Sequence, residues 1–160
     1  MEEIALHILD VAENSIAASA RLIEVRVSED ENEDVMRIEI VDDGKGMTRE
    51  ELAKVADPFF STKSGRRTGL GVPMFARAAR EAGGEFKIES KRGEGTRVTA
   101  AFRLGHLDRM PLGDLRGTMA VLMCAHPAIH FVCEHDRNGR SVYRVDTRKA
   151  RNTARTGRDG

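Results

Sequence analysis

Three residues, Asp42, Gly44 and Gly46, combine a carboxylate with bare backbone in a way that suits ligand chemistry. Asp42 closes the run Val35-Met36-Arg37-Ile38-Glu39-Ile40-Val41, where apolar and polar residues alternate as in a half-buried strand. The sheet would therefore hold its carboxylate at the strand exit. Gly44 and Gly46 lack Cβ, which permits positive φ and lets a flat ligand lie against bare backbone. Asp43-Gly44 is also a common type I′ hairpin pair. Against a hairpin, Thr48-Arg49-Glu50-Glu51 is a capping box that opens a short helix over 49–55, so no partner strand returns. Asp10 and Asn14 form a second constellation, one helical turn apart in an apolar segment over 3–20 and therefore on one face. Asp and Asn are poor helix formers in mid-helix, which favours a buried, ligand-facing role over a solvent stripe. His7 and Arg21 share that stripe and read as ordinary solvent-facing residues.

A third group fills 56–71, Ala56-Asp57-Pro58-Phe59-Phe60-Ser61-Thr62-Lys63-Ser64-Gly65-Arg66-Arg67-Thr68-Gly69-Leu70-Gly71, which has no periodicity. An aromatic anchor, glycines and cations in one long loop suit a lid over an anion. The alternative is a solvated basic surface loop. Gly69 and Gly71 stand just ahead of a helix predicted over 72–82 and ended by Gly83-Gly84, so bare amides and a positive dipole end could hold a phosphate. A dinucleotide fingerprint is rejected, because Met74 stands where the third glycine belongs and the segment comes after a basic loop, not a strand. Cys124, His126, His130, Cys133 and His135 place five metal-ligating side chains within twelve positions. With Cys124 expected at the buried end of a helix and 129–134 alternating as a strand, they would point several ways, and a zinc or iron site is the disfavoured reading.

The same patterns give the scaffold that holds these groups. Residues 22–28 alternate as a strand, 29–34 are an acidic turn, and the strand ending at Asp42 completes an antiparallel hairpin. Two more strands over 85–90 and 96–104, joined by Lys91-Arg92-Gly93-Glu94-Gly95, make a sheet of at least four strands with helices on one face. That is an α+β, two-layer sandwich over 1–104, with the core ending near Leu104. Beyond Pro111, an apolar helix over 112–125 and strands over 129–134 and 141–145, turning at Asn138-Gly139, read as an appended α-β-β unit within 105–146. Residues 147–160 are rich in Arg, Thr, Gly, Asn and Asp, and the basic tail is expected to be disordered.

Bulk properties exclude several classes. A chain of 160 residues suits one domain with a small appendage. Its 26 basic and 26 acidic residues balance, but 1–60 carry 16 acidic against 6 basic and 137–160 carry 8 basic against 2 acidic. A neutral total without aromatic interleaving argues against specific nucleic-acid binding. Two cysteines make no disulfide framework, and neither a signal peptide nor an apolar run of membrane-spanning length is seen, so a soluble cytoplasmic protein is expected.

With these parts placed, residues 3–104 resemble the GHKL ATPase superfamily, which includes gyrase, the mismatch-repair ATPase, heat-shock chaperones and sensor histidine kinases. Asp10-Val11-Ala12-Glu13-Asn14-Ser15 looks like the N-box and Asp42 to Gly46 the first glycine box. Asp57-Pro58-Phe59-Phe60-Ser61-Thr62-Lys63 looks like the kinases' phenylalanine box. Gly69-Leu70-Gly71 looks like the second glycine box, with Gly83-Gly84 and Gly95-Thr96 as the family's later motifs. Residues 6–10 and the unit after Pro111 also resemble small stand-alone ATP-binding proteins reported near iron hydrogenase genes. The resemblance implies a Bergerat-type ATP-binding fold with ATP and Mg²⁺ as cofactors. It implies that Asn14 gives its amide oxygen to Mg²⁺, that Asp42 accepts from the adenine amino group, and that Gly44 and Gly46 line the base. Thr96 would reach the base directly or through water, Gly69 and Gly71 would cradle the phosphates, and Lys63 and Arg67 would be phosphate cations. Met47, Phe59, Thr62, Thr68 and Leu70, within or beside these motifs, are carried over as further nucleotide contacts.

The departures are as informative. Three residues after Asn14, kinases carry a basic and gyrase-like members an acidic residue, whereas Ala17 offers neither. No helical pair with a phosphoacceptor histidine is read within these 160 residues, so a complete sensor kinase is not expected. Four residues before Asn14, where hydrolytic members and anti-sigma serine kinases place a glutamate as general base, Asp10 keeps the carboxylate but shortens it by one methylene. The expected function is a Mg²⁺-dependent regulatory module with slow ATP hydrolysis coupled to lid closure and to an unidentified protein partner. A serine kinase acting in trans and a non-enzymatic ATP/ADP switch are the alternatives.

Overall fold

The computed structural model describes residues 3–56 and 71–149. Its elements are α1 (Ile4–Ala17), β1 (Leu22–Asp30), β2 (Val35–Asp42), α2 (Arg49–Ala56), α3 (Gly71–Glu81), β3 (Glu85–Lys91), β4 (Gly95–Arg103), α4 (Leu115–Ala125), β5 (His130–Arg137) and β6 (Arg140–Asp146). The six strands form one sheet in the order β3-β4-β2-β1-β5-β6, antiparallel throughout except where β5 runs parallel to β1. The expected α+β architecture, mostly antiparallel, is therefore what the chain adopts. The first two strands are the expected hairpin, with Ile23 opposite Asp42.

Period-2 alternation sets the two faces of this sheet. Ile23, Val25 and Val27 of β1, Met36, Ile38 and Ile40 of β2, and Val98, Ala100 and Phe102 of β4 are buried and share one core with α1, α3 and α4. On the opposite face Arg26 of β1 reaches Glu39 of β2 at 3.8 Å and Glu134 of β5 at 3.3 Å, and Glu134 also meets Arg144 of β6 at 3.5 Å. Partly exposed pairs of this kind add little stability. They do make this face of the sheet polar.

The core does not end near Leu104. Leu115, Met119, Leu122, Phe131 and Cys133 belong to the same buried cluster as Ile4 and Ile8, and the α-β-β segment is hydrogen-bonded edge to edge onto β1. The loop leading into it satisfies the first amides of α1, which lacks a side-chain cap: Ile4 and Ala5 donate to the carbonyls of Pro111 and Leu112, both at 2.9 Å. The helix expected over 112–125 starts at Leu115 because Gly113 takes φ +78° and Asp114 caps, accepting from the Gly117 amide at 2.9 Å. Asn138 and Gly139 both take positive φ, as the I′ turn requires. Residues 147–149, assigned to the tail from sequence, form a helical turn in which Thr147 is buried and accepts from the Phe131 amide at 3.0 Å. The rest of the tail lies outside the described residues.

His7, expected to face solvent, is buried. It is 4% exposed and stacks on Phe75 of α3, ring centroids 5.3 Å apart. Ile4, His7, Ile8 and Val11 are spaced at the helical repeat, so α1 buries His7 within its apolar arc once α3 packs beside it.

Candidate functional site

The site is built where the end of α1, the exit of β2 and the start of β4 meet. Asp42 is 8% exposed, and both of its oxygens are held: Ser15 Oγ donates to Oδ2 at 2.6 Å and the Gly44 amide donates to Oδ1 at 2.8 Å. A carboxylate oxygen can accept more than one hydrogen bond, so each retains acceptor capacity toward a ligand. Asp42 and Ser15 line a cavity of about 280 Å³ with Asn14, Gly46, Met47 and Thr96, and Val11, Val72, Ile88 and Val98 supply apolar walls. Thr96 is the β4 residue in register with Asp42. A cavity of apolar walls with few fixed polar groups is what a flat, mostly apolar ligand with one polar edge requires.

The turn after Asp42 is clamped from several sides. Asp43 Oδ1 accepts from the amides of Arg21 and Leu22 at 2.7 and 2.9 Å, so this carboxylate has a structural duty. The Lys45 amide donates to the Ala18 carbonyl at 2.9 Å, and the Lys45 carbonyl accepts from the Gly93 amide at 2.7 Å. Gly46 takes φ +66°, and a Cβ there would run into the Lys91 carbonyl. A Cβ at Gly44 would stand 2.8 Å from the Ala18 carbonyl oxygen. Both glycines are required by close approach of backbone. The capping box is formed as expected, Glu51 accepting from the Thr48 amide at 3.1 Å and Thr48 Oγ1 from the Glu51 amide at 3.2 Å.

The sequence-predicted residues divide into three sets. Asn14, Asp42, Gly46, Met47 and Thr96 meet at the cavity, with Gly44 directly beneath Asp42. Asp10 and Gly71 meet each other at the adjoining face of α1, where a Cβ on Gly71 would lie 2.6 Å from that of Asp10. Asp10 is exposed, contrary to the expected burial, because Leu6, Asp10, Glu13 and Ala17 form the outer arc of α1. Phe59, Thr62, Lys63, Arg67, Thr68, Gly69 and Leu70 lie outside the described residues. Sequence reasoning missed Ser15 as Asp42's partner and the valines of the cavity wall. A hydroxyl four residues after Val11, within the apolar arc, was the available signal.

The cysteine and histidine cluster does not converge. His130 Nε2 is 2.7 Å from Asp146, His135 Nε2 is 2.7 Å from Glu29, and Cys133 is in the core. Cys124 is exposed, not buried, since α4 turns it to the outer side. Among the described residues no group of three or more His, Cys, Asp and Glu side chains could hold a metal ion. Burial, with the charge of Glu134 beside it, pushes the Cys133 thiol up to about 12. A thiolate-specific reagent at pH 8 is therefore expected to label one thiol, Cys124, in the folded chain and both after denaturation. Rapid labelling of two thiols in the native protein would contradict the buried position.

An α+β sandwich whose cavity opens between its first helix, a glycine-bearing strand exit and the sheet defines the class of histidine-kinase-like ATPase domains. Residues 2–106 match the family described as "Histidine kinase-, DNA gyrase B-, and HSP90-like ATPase", and the chain belongs to that family. Sporulation kinase C of Bacillus subtilis (strain 168) is 36% identical over 88 residues, which are 55% of this chain and 20% of the kinase. Sensor histidine kinase ZraS of Escherichia coli O157:H7 is 29% identical over 92 residues, 58% of this chain and 20% of that one. The chain thus spans about a fifth of these curated relatives. The structure of the Aquifex aeolicus MutL ATPase domain complexed with ADP is similar with a TM-score of 0.54 at 16% identity, covering 92% of this chain and 65% of that chain. At that identity the likeness speaks for the fold. No helix among the described residues is long and apolar enough to cross a membrane.

Proposed function

We propose that this chain binds ATP in the cavity beside Asp42, hydrolyses it slowly with Mg²⁺, and acts as a regulatory module toward a partner protein. The observation that carries the reading is the buried Asp42 carboxylate, held by Ser15 and Gly44 and facing an apolar cavity. Its acceptor oxygens suit the adenine amino group, and the walls suit the ring. The MutL ATPase domain, similar in fold, was solved with ADP, which supports a nucleotide as the ligand.

Asn14 is half-buried at the cavity and offers a hard amide oxygen, so it fits Mg²⁺. When bound, the ion neutralises phosphate charge. Asp10, one turn earlier on α1, takes a proton from water as the water oxygen bonds to the terminal phosphorus and the bond to the bridging oxygen of ADP breaks. Gly71 opens α3 next to Asp10, and helix N-terminal amides there would suit a phosphate. The regulatory part adds lid closure around the nucleotide and a partner that senses it.

Incubation with γ-labelled ATP tests the chemistry. Release of labelled phosphate, dependent on Mg²⁺, is expected. Label transferred to a co-purified protein would replace hydrolysis by phosphotransfer, and binding without either would leave a switch.

A further inference from the structure

We propose that Ser90 fixes the direction of the Thr96 hydroxyl, so that the corner formed by Asp42, Ser15 and Thr96 presents acceptors and selects a 6-aminopurine over a 6-oxopurine. The inference rests on the reading of this cavity as a base pocket.

Proton counting fixes the hydroxyl directions. Ser90 Oγ makes three contacts: the Met47 amide at 2.9 Å, the Gly95 carbonyl at 3.0 Å and Thr96 Oγ1 at 2.8 Å. The amide can only donate and the carbonyl can only accept, while a serine hydroxyl has one proton and two lone pairs. The serine proton therefore lies on Gly95, one lone pair takes the Met47 N–H, and the contact with Thr96 is left for Thr96 to donate. Only this assignment satisfies all three contacts. The Thr96 proton is then turned into the protein, and Thr96 shows its lone pairs to the cavity it lines.

Ser15 behaves in the same way. Its proton has two candidate acceptors, Asp42 Oδ2 at 2.6 Å and the Val11 carbonyl at 3.3 Å. The first distance is that of a strong hydrogen bond to a carboxylate and the second is beyond the ordinary O–H···O range. With its proton on Asp42, Ser15 also offers only lone pairs. Asp42, Ser15 and Thr96 together form a corner where an amino group finds acceptors and a carbonyl oxygen finds repulsion. Ser90 reaches this corner from β3 and ties it to the glycine turn through Met47, so it is a positioning residue that need not touch the base.

The test compares three triphosphates in the presence of Mg²⁺: ATP, purine riboside triphosphate, which has only hydrogen at position 6, and inosine triphosphate, which has a carbonyl there. Wild type is expected to bind them in that order of decreasing affinity. Ser90→Ala frees the Thr96 proton to donate, so inosine triphosphate should gain on purine riboside triphosphate by roughly three- to tenfold, the range of one hydrogen bond. Ser90→Thr keeps the hydroxyl and should keep the wild-type ratios. Ratios within one variant cancel any loss of folded protein. If Ser90→Ala weakens all three nucleotides by one common factor, Ser90 merely holds the turn and the proposal is overturned while the base pocket stands. Inosine triphosphate binding wild type as well as purine riboside triphosphate would also overturn it. If wild type binds ATP no better than purine riboside triphosphate, the base-pocket reading fails and takes this one with it.

Discussion

Replacing Asp42 by Asn is expected to weaken ATP binding about ten- to a hundredfold, the value of a lost charge-assisted hydrogen bond of about 1.5–3 kcal/mol. The geometry explains why so close an isostere fails. Ser15 Oγ and the Gly44 amide each bring a proton to a different oxygen of Asp42, whereas an amide has a single oxygen and must turn its NH₂ toward one of those donors. The same NH₂ would face the adenine amino group if turned toward the cavity. Wild type should bind GTP much more weakly than ATP, because guanine presents a carbonyl where adenine presents its amino group. Calorimetry finding ATP and GTP of equal affinity in wild type, or Asp42→Asn within twofold of it, would remove the base-reading role from Asp42.

Asp10→Asn is expected to keep ATP affinity and lose hydrolysis by about 10² to 10⁴, the usual contribution of a positioned base. Asn14→Ala, one helical turn away, should instead lose Mg²⁺-dependent binding, since it deletes the amide oxygen at the cavity. The two phenotypes separate because Asp10 sits outside, on the exposed arc of α1 against Gly71, while Asn14 lines the pocket. An aspartate reaches one methylene less far than a glutamate, so the native rate should be low and Asp10→Glu should raise it. Single-turnover measurements decide the matter: hydrolysis by Asp10→Asn at the parental rate would end the assignment of Asp10 as base.

Features that neighbouring residues encode together were legible before any fold was known. The strand ending at Asp42, the glycine turn after it, the Thr48–Glu51 capping box and the Asn138-Gly139 turn each depend on a few adjacent side chains and their local backbone preferences. Helical pitch likewise puts Asp10 one turn from Asn14, but does not say which of the two lines the cavity. Contacts between distant residues were settled only by tertiary packing. Pairing of β5 with β1 in parallel made the α-β-β segment part of one sheet and one core, because unpaired strand edges and apolar faces are satisfied wherever a partner packs, which no local pattern specifies. Periodicity showed that α1 has an apolar arc but not its width. Phase within the helix left Asp10 outside, and the ring of Phe75 covered His7. The hydroxyls were least legible of all: Ser15 meets Asp42 across 27 residues and Ser90 meets Met47 across 43, and a lone serine in a strand or helix carries no sign of its partner until the chain folds and brings the two together.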